Sequence, residues 1–361
     1  MPILTTGKQC RIGIFLPRWL GDFVMATPAL RAIRAHYGRQ AWIAGVMYPY
    51  QRDVLAGTDW LDEQWYFDPR GKSALGDHLR IWRKLLAARF DMVLLMPNSP
   101  RSAILSWLGR AKRRIGYARY GRGPLLTDPI RLSHSRRRTA DRPMVDYYLH
   151  LAEVAGCPSS SPRLELATTP RDERSADRVF QQLGLPGDGR LITFNSSGAY
   201  GAAKLWPAGH FAALARRIVD ELDHHVLVMC GPGEQATAGQ ITALAGRPQV
   251  VSMRGQPLDI GTAKACIRRS RLMISTDSGP RHLAAALGKA VITLYGPMLP
   301  VWGQNPTVDA IDLYLKDLEC IGCHQRVCPY KHHKCMQDLS VEMVYREVRG
   351  WLARTGVHRV A

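Results

Sequence analysis

The chain has 361 residues, 46% of them hydrophobic and 22% charged, the make-up of a globular protein long enough for two domains. No apolar stretch reaches the roughly 20 residues that span a bilayer. The N-terminal run Ile12–Leu16 stops at Pro17 and Arg18, too short for a signal-peptide core, so a cytoplasmic protein with reduced thiols is expected. Net charge is +19, and between Arg101 and Arg142 twelve Lys or Arg stand against two Asp. Such a stretch suits a solvated surface, nucleic acid, an anionic membrane surface or a polyanionic substrate. RNA-binding aromatic signatures, paired-histidine zinc-finger spacing and a basic leucine zipper are absent, so nucleic acid is not expected as a partner.

Arg11–Leu16 reads as a buried strand. A helix is expected over Asp22–Tyr37, where Phe23, Ala26, Leu30, Ile33 and Tyr37 line one face. Ala41–Met47 and Asp91–Met96 read as strands, Ala74–Arg89, Arg101–Leu108 and Met144–Ala155 as helices, and 110–140 as a basic, Gly- and Pro-rich loop. Cys157–Pro170, with three prolines and a serine run, reads as a linker. It suggests an N-terminal domain over 1–165 and a C-terminal domain over 166–361.

Beyond the linker the alternation restarts. Helices are expected at Asp172–Leu183, Ala208–Leu222, Glu234–Ala245 and Asp259–Ser270. Strands are expected at Leu191–Asn195, His225–Cys230, near Val250, at Leu272–Ser275 and at Ala290–Tyr295. A last helix over about Ser340–Arg354 is placed in the second domain, with packing back onto the first left open. Two β-α arrays in succession argue for an α/β protein of two doubly wound, Rossmann-like domains, with a cleft between them as the working site. No GxGxxG follows the first strand, and Gly71-Lys72-Ser73 lacks the upstream glycine of a phosphate loop, so dehydrogenase and P-loop readings lose support.

Four strand-end segments carry groups suited to chemistry. In Pro17–Asp22 (PRWLGD), Asp22 is either a helix cap or a general base, and Arg18 lies beside it. Pro97–Ser102 offers Asn98, Ser99 and Arg101 to a polyhydroxylated anionic acceptor, or is an ordinary capped turn. Asn195–Pro207 (NSSGAYGAAKLWP) presents Ser196, Ser197 and Lys204, the last either a diphosphate ligand or a solvated surface lysine. Residues 275–288 (STDSGPRHLAAALG) end a buried strand and open a helix, with Thr276, Asp277, Ser278, Gly279 and His282 at the junction. That junction aims free N–H groups and a helix dipole at an anion such as a diphosphate, though a well-capped helix in any α/β domain has the same features. By residue type Glu234 suits a ribose and Met253 an adenine.

Together these segments resemble glycosyltransferase family 9, the ADP-heptose:lipopolysaccharide heptosyltransferases, most closely the heptosyltransferase II branch. The resemblance is carried by RIGIFLPRWLGDFVMATPALRAIR, DMVLLMPNSPRSA, AAKLWPAGHFAALA, STDSGPRHLAAALGKAVITLYGP and CIGCHQRVCPYKHHKCMQDLS, nearly the full length. It implies a GT-B fold, an acceptor-binding first domain and a nucleotide-sugar-binding second one. It also implies inverting transfer from ADP-heptose with no cofactor required for catalysis. By the match, Asp22 takes the acceptor proton, Lys204 and the Thr276–Gly279 turn stabilise departing ADP, and Asp277 additionally holds sugar hydroxyls. A Kdo–lipid A acceptor, rich in carboxylates and phosphates, would account for the basic stretch and place the enzyme peripherally at the inner membrane face. One departure is Pro280-Arg281, where a smaller or apolar pair is the family expectation, leaving Arg281 between donor phosphates and solvent.

Eight cysteines are present, and Cys320, Cys323, Cys328 and Cys335 fall within sixteen residues. They read either as ligands of a structural zinc or iron ion or as plain reduced thiols.

Overall fold

The computed structural model describes residues 9–71, 73–131, 143–305 and 308–356. The chain divides into two compact units, Met1–Ala167 with Val301–Gln304, and Thr168–Pro300 with Asn305–Ala361.

In the first unit the strands are β1 (Arg11–Phe15), β2 (Trp42–Met47), β3 (Glu63–Tyr66), β4 (Met92–Leu95), β5 (Arg113–Tyr117) and β6 (Asp128–Ile130). The helices are α1 (Leu20–Met25), α2 (Thr27–Tyr37), α3 (Ala74–Ala88), α4 (Pro100–Leu108) and α5 (Met144–Val154). The sheet runs β3-β2-β1-β4-β5-β6, and every pairing is parallel. Parallel strands need both faces covered, which the continuous apolar runs of β1, β2 and β4 provide.

The single helix expected over Asp22–Tyr37 is two helices broken at Ala26. Pro28 supplies the reason: its ring clashes with the carbonyl four residues back and it has no N–H to give. That carbonyl, on Val24, instead accepts a hydrogen bond from the Thr27 hydroxyl at 2.8 Å.

The basic 110–140 segment is not a loop throughout, because it contains β5 and β6. Arg113 and Arg114, which open β5, are bonded within the segment, and their charge hid the strand. Arg113 pairs with Asp128 at 2.7 Å, and Arg114 donates to the carbonyls of Leu125 and Ala111. The arginine-rich remainder, 132–142, lies outside the described residues.

In the second unit the strands are β7 (Leu191–Asn195), β8 (His225–Met229), β9 (Val250–Ser252), β10 (Leu272–Thr276), β11 (Ala290–Leu294) and β12 (Ala310–Leu313). The helices are α6 (Pro170–Leu183), α7 (Ala208–Leu222), α8 (Gln235–Ala245), α9 (Ile260–Arg269), α10 (Gly279–Ala286), α11 (Lys334–Gln337) and α12 (Val341–Gly356). The sheet order is β12-β11-β10-β7-β8-β9, again parallel throughout. Helix α6 starts in a capping box, Thr169 and Asp172 exchanging side-chain and backbone hydrogen bonds at 3.2 and 2.9 Å. Val344, Tyr345, Val348 and Trp351 of α12 lie in the same apolar core as Phe211, Leu214 and Ile218 of α7. Trp206, buried against Phe211, fixes the entry to α7 by donating to the Leu339 carbonyl at 2.8 Å.

Read outward from its first strand, each sheet has the same order. The next two strands lie to one side and the last three to the other. The chain therefore reverses direction between β1 and β4, and again between β7 and β10. In doubly wound sheets ligands bind beyond the carboxyl ends of the strands at such a switch point.

Candidate active site

The segments after β7 and β10 meet at the second switch point, where Asn195 and Ser275 are register neighbours. Asn195 donates through Nδ2 to Ser275 Oγ at 2.9 Å and Ser278 Oγ at 2.7 Å. Ser197 Oγ donates to Ser278 Oγ at 3.1 Å, and the Thr276 hydroxyl donates to the Ser197 carbonyl. Ser196 and Ser197 are both buried. Gly279 opens α10, with Pro280 next, where the missing N–H costs nothing.

Lys204 ends a short 3-10 turn, Ala202–Lys204. Its Nζ lies 2.5 Å from Asp277 Oδ2 and 2.9 Å from the Asp277 carbonyl oxygen. It is therefore no solvated surface lysine. The other Asp277 oxygen, Oδ1, accepts from Arg281 Nε at 3.1 Å and from a terminal guanidinium nitrogen at 2.9 Å. Arg281, left between phosphate and solvent by the sequence, does not face solvent: it is 2% exposed and engages Asp277 one helical turn back. Its guanidinium also stands 5.4 Å from the Tyr295 ring.

Burial pushes the Asp277 carboxyl up, but the Arg281 and Lys204 charges outweigh it and hold the pKa at about 2. Burial, then the Arg281 charge, drives His282 well below the ordinary histidine value, so it is neutral at physiological pH. Its Nδ1 lies 3.3 Å from Asn305 Oδ1. Arg281 also feels the Asp312 carboxylate, and Lys204 sets a cation near the Ser278 turn, an arrangement suited to a diphosphate.

Glu234 closes the turn after β8, accepting from Gly231 N at 2.8 Å. Met253 is buried, its backbone N–H bonded to the Val228 carbonyl.

The turn carrying Lys204 is braced by the cysteine-rich segment, which the sequence reading did not foresee. Ala203 N donates to the Arg326 carbonyl at 3.0 Å, and His333 Nε2 lies 2.8 Å from the Ala203 carbonyl oxygen. Tyr200 donates to the His324 carbonyl at 2.8 Å and lies between the Lys204 and Arg326 cations, 5.0 and 5.2 Å from its ring. Gly201 is required there, because a Cβ would fall 2.3 Å from the Arg326 carbonyl oxygen.

Burial, then the charges of Cys323, Cys320 and Cys328, pushes the Cys335 thiol up to about 11. Cys328 Sγ accepts from His333 N at 3.4 Å. Among the described residues no three His, Cys, Asp or Glu side chains are grouped to hold a metal ion. Of the four thiols considered as zinc or iron ligands, Cys335 also belongs to the apolar core of the second unit.

In the first unit the corresponding groups follow β1 and β4. Asp22 sits in the first turn of α1, close enough to Tyr148 that its charge adds to burial in raising that phenol well above its ordinary value. The Arg18 guanidinium lies over the rings of Trp19 and Tyr48 at 5.2 and 5.8 Å. Asn98 Oδ1 accepts from Tyr147 at 2.9 Å and from Arg122 at 3.0 Å. Ser99 is the residue before α4 and makes no side-chain cap, while Arg101 is exposed in the first turn of that helix.

Arg122 was not foreseen. It is 1% exposed and also donates to the Tyr117 carbonyl at 2.8 Å. Burial lowers its pKa to about 10, so it stays charged at neutral pH. Nothing in the run Tyr120–Pro124 (YGRGP) distinguishes it from the exposed arginines around it.

The family model described as glycosyltransferase family 9 (heptosyltransferase) matches residues 78–334. The chain is 26% identical to lipooligosaccharide heptosyltransferase 2 of Campylobacter jejuni, over 94% of this chain and 98% of that protein. Among solved structures it is similar to the E. coli ADP-heptose lps heptosyltransferase II, with TM-score 0.77, 23% identity, and 96% and 99% of the two chains covered. It is also similar to E. coli heptosyltransferase WaaC solved with ADP-2-deoxy-2-fluoro heptose, with TM-score 0.69, 17% identity, and coverage of 93% and 99%. Both units thus have the make-up of GT-B heptosyltransferases. The chain is a glycosyltransferase and belongs to glycosyltransferase family 9, the heptosyltransferases.

Proposed function

We propose that this chain transfers heptose from ADP-heptose to a Kdo–lipid A type acceptor in lipopolysaccharide inner-core assembly, with inversion at the anomeric carbon. The observation that carries the reading is the Lys204–Asp277–Arg281 cluster beneath the Ser278 turn at the switch point of the second sheet. In a direct displacement, negative charge builds on the diphosphate oxygen as the anomeric bond breaks. A preformed cation beside free N–H groups stabilises that charge without reorganising at the moment of reaction. In this reading Lys204 and the Thr276–Gly279 turn receive the departing ADP, with Ser196, Ser197 and His282 lining the donor site. Glu234 and Met253 take the ribose and adenine, and Asp277 orients Lys204 and holds sugar hydroxyls.

Asp22 removes the proton of the attacking hydroxyl, a role a carboxylate of ordinary basicity fills late in the transition state. Arg18, Asn98, Ser99 and Arg101 bind the anionic acceptor. The chemistry draws on no cofactor. Among the described residues no helix is long and apolar enough to cross a membrane, and we place the enzyme on the cytoplasmic face of the inner membrane as a peripheral protein.

The test is incubation of purified protein with ADP-heptose and Kdo–lipid A, following ADP release and product mass. Stoichiometric ADP and heptosylated lipid are expected. Transfer only to protein acceptors, or a salt-sensitive complex with nucleic acid that ADP does not compete with and no transfer, overturns the reading.

A further inference from the structure

Helix α3 carries two apolar stripes. Ile81, Leu85 and Ala88 face the first unit's core and are buried. Leu75, Leu79, Trp82 and Leu86 recur at helical spacing about a third of a turn away, with Leu75 86% exposed, Leu79 exposed, and Trp82 and Leu86 half-buried. Helix α4 continues the surface. Its Ile104, Trp107 and Leu108 are exposed, Trp107 to 52%. The two helices are tied together, Trp82 Nε1 donating to the Leu108 carbonyl at 3.3 Å. Just past α4 Gly109 is required, since a Cβ there would lie 2.8 Å from that of Leu85. An apolar patch of this kind on one face of a globular unit marks a contact surface.

The charges around the patch name the occupant. From Ala74 to Lys112 there are seven Lys or Arg and two Asp. Both carboxylates are engaged, Asp77 by Arg80 and Asp91 by Lys112. Arg83, Arg101 and Arg110 are exposed and have no carboxylate partner among the described residues. A second copy of this chain would bring the same surplus against itself. An anionic lipid surface offers complementary charge, and its headgroup–acyl boundary accepts Trp and Leu side chains flanked by arginine.

We infer that the α3–α4 face is the surface on which this chain docks onto an anionic lipid bilayer. The inference builds on the lipid-linked acceptor proposed above, but its residues are separate from the proposed donor and base groups apart from Arg101, which borders both.

The test is flotation of the full chain with vesicles of phosphatidylcholine alone and of phosphatidylcholine mixed with phosphatidylglycerol. Binding is expected only to the mixed vesicles. It should weaken by about tenfold or more in the triple variant Leu75→Ser, Leu79→Ser, Trp107→Ser, and by about fivefold in Arg83→Ser. ADP affinity should be unchanged in every variant, which shows that the second unit is intact. Single Trp107→Ser serves if the triple variant misfolds.

Three results overturn the assignment: no binding by the parent, parent-like binding by the serine variants, or a concentration-dependent dimer that those variants abolish. Heptose transfer to detergent-dispersed acceptor by a chain that fails to bind vesicles would remove the docking surface and leave the proposed reaction standing. Vesicle binding without transfer would do the reverse.

Discussion

The two switch points occupy equivalent places in sheets of the same strand order, and they are built on different electrostatics. Beyond β7 and β10 each charge has a near neighbour of opposite sign: Lys204 and Arg281 share the two oxygens of a single buried carboxylate. Beyond β1 and β4 the cations are held without carboxylates. Among the described residues Arg122 pairs with no acid and instead donates to the Tyr117 carbonyl and Asn98 Oδ1, and Arg18 lies over aromatic rings. The first arrangement resists rearrangement, because removing any member strands a charge in a poorly solvated place. The second buries Arg122 and leaves Arg18 exposed to an incoming anion. One scaffold thus supports a preorganised half and a receptive half, and the difference lies entirely in what the strand-end turns carry.

The largest effect that would sharpen this comparison is on the receptive side. Asp22→Asn should lower kcat by about a thousandfold, roughly 4 kcal/mol, with ADP affinity unchanged, as single-turnover kinetics and calorimetry would show. Near-parental turnover would remove the base assignment. On the preorganised side, Arg281→Met should destabilise the fold by about 3 kcal/mol, read from urea unfolding, because Asp277 keeps one cation where it had two.

Lys204→Met should cost about a hundredfold in kcat, near 2.7 kcal/mol, with a smaller loss of stability than Arg281→Met because Lys204 is the less buried cation. If the two variants exchanged these effects, the division of Asp277 between a catalytic and a positioning cation would be wrong.

The smallest effect is on pH dependence. Folded His282 is kept neutral by burial and by Arg281, whereas in the unfolded chain it takes up a proton near its ordinary 6.5. The unfolded state then binds more protons, so stability falls as pH drops below about 6.5. In His282→Gln that part of the slope should vanish from unfolding curves taken between about pH 7.5 and 5. The Asp277 contribution has a different window. Its pKa of about 2 lies below the unfolded value of 3.8, so its stabilisation is complete above that value and is lost as pH falls towards 2.

Much of this was legible before any coordinates. Long apolar runs such as Leu191–Asn195 and Leu272–Thr276 are unmistakable as buried parallel strands, and the polar turns after them mark the site. Of the edge strands among the described residues, only β9 near Val250 was legible. β3 (EQWY) and β12 (AIDL) are short and half-exposed, so neither periodicity nor composition separates them from loop. The break at Ala26 was missed because the helical face continues across it; only the steric demand of Pro28 records it. Arg281 and Arg122 were opaque for another reason. An arginine is buried only when its surroundings enclose it: Asn98 reaches Arg122 only through the folded sheet, and Arg281, though one turn from Asp277, is enclosed beside the Tyr295 ring that β11 leads to.

The near-contact between Gly201 and the Arg326 carbonyl reaches beyond local packing. It makes the hook that presents Lys204 a two-part casting, half of it poured from residues more than a hundred positions downstream. A chain cut short before Cys320 would lose the mould that shapes that hook together with the α12 side chains that fill the second unit's core. In this protein the C-terminal tailpiece is part of the tool rather than its handle.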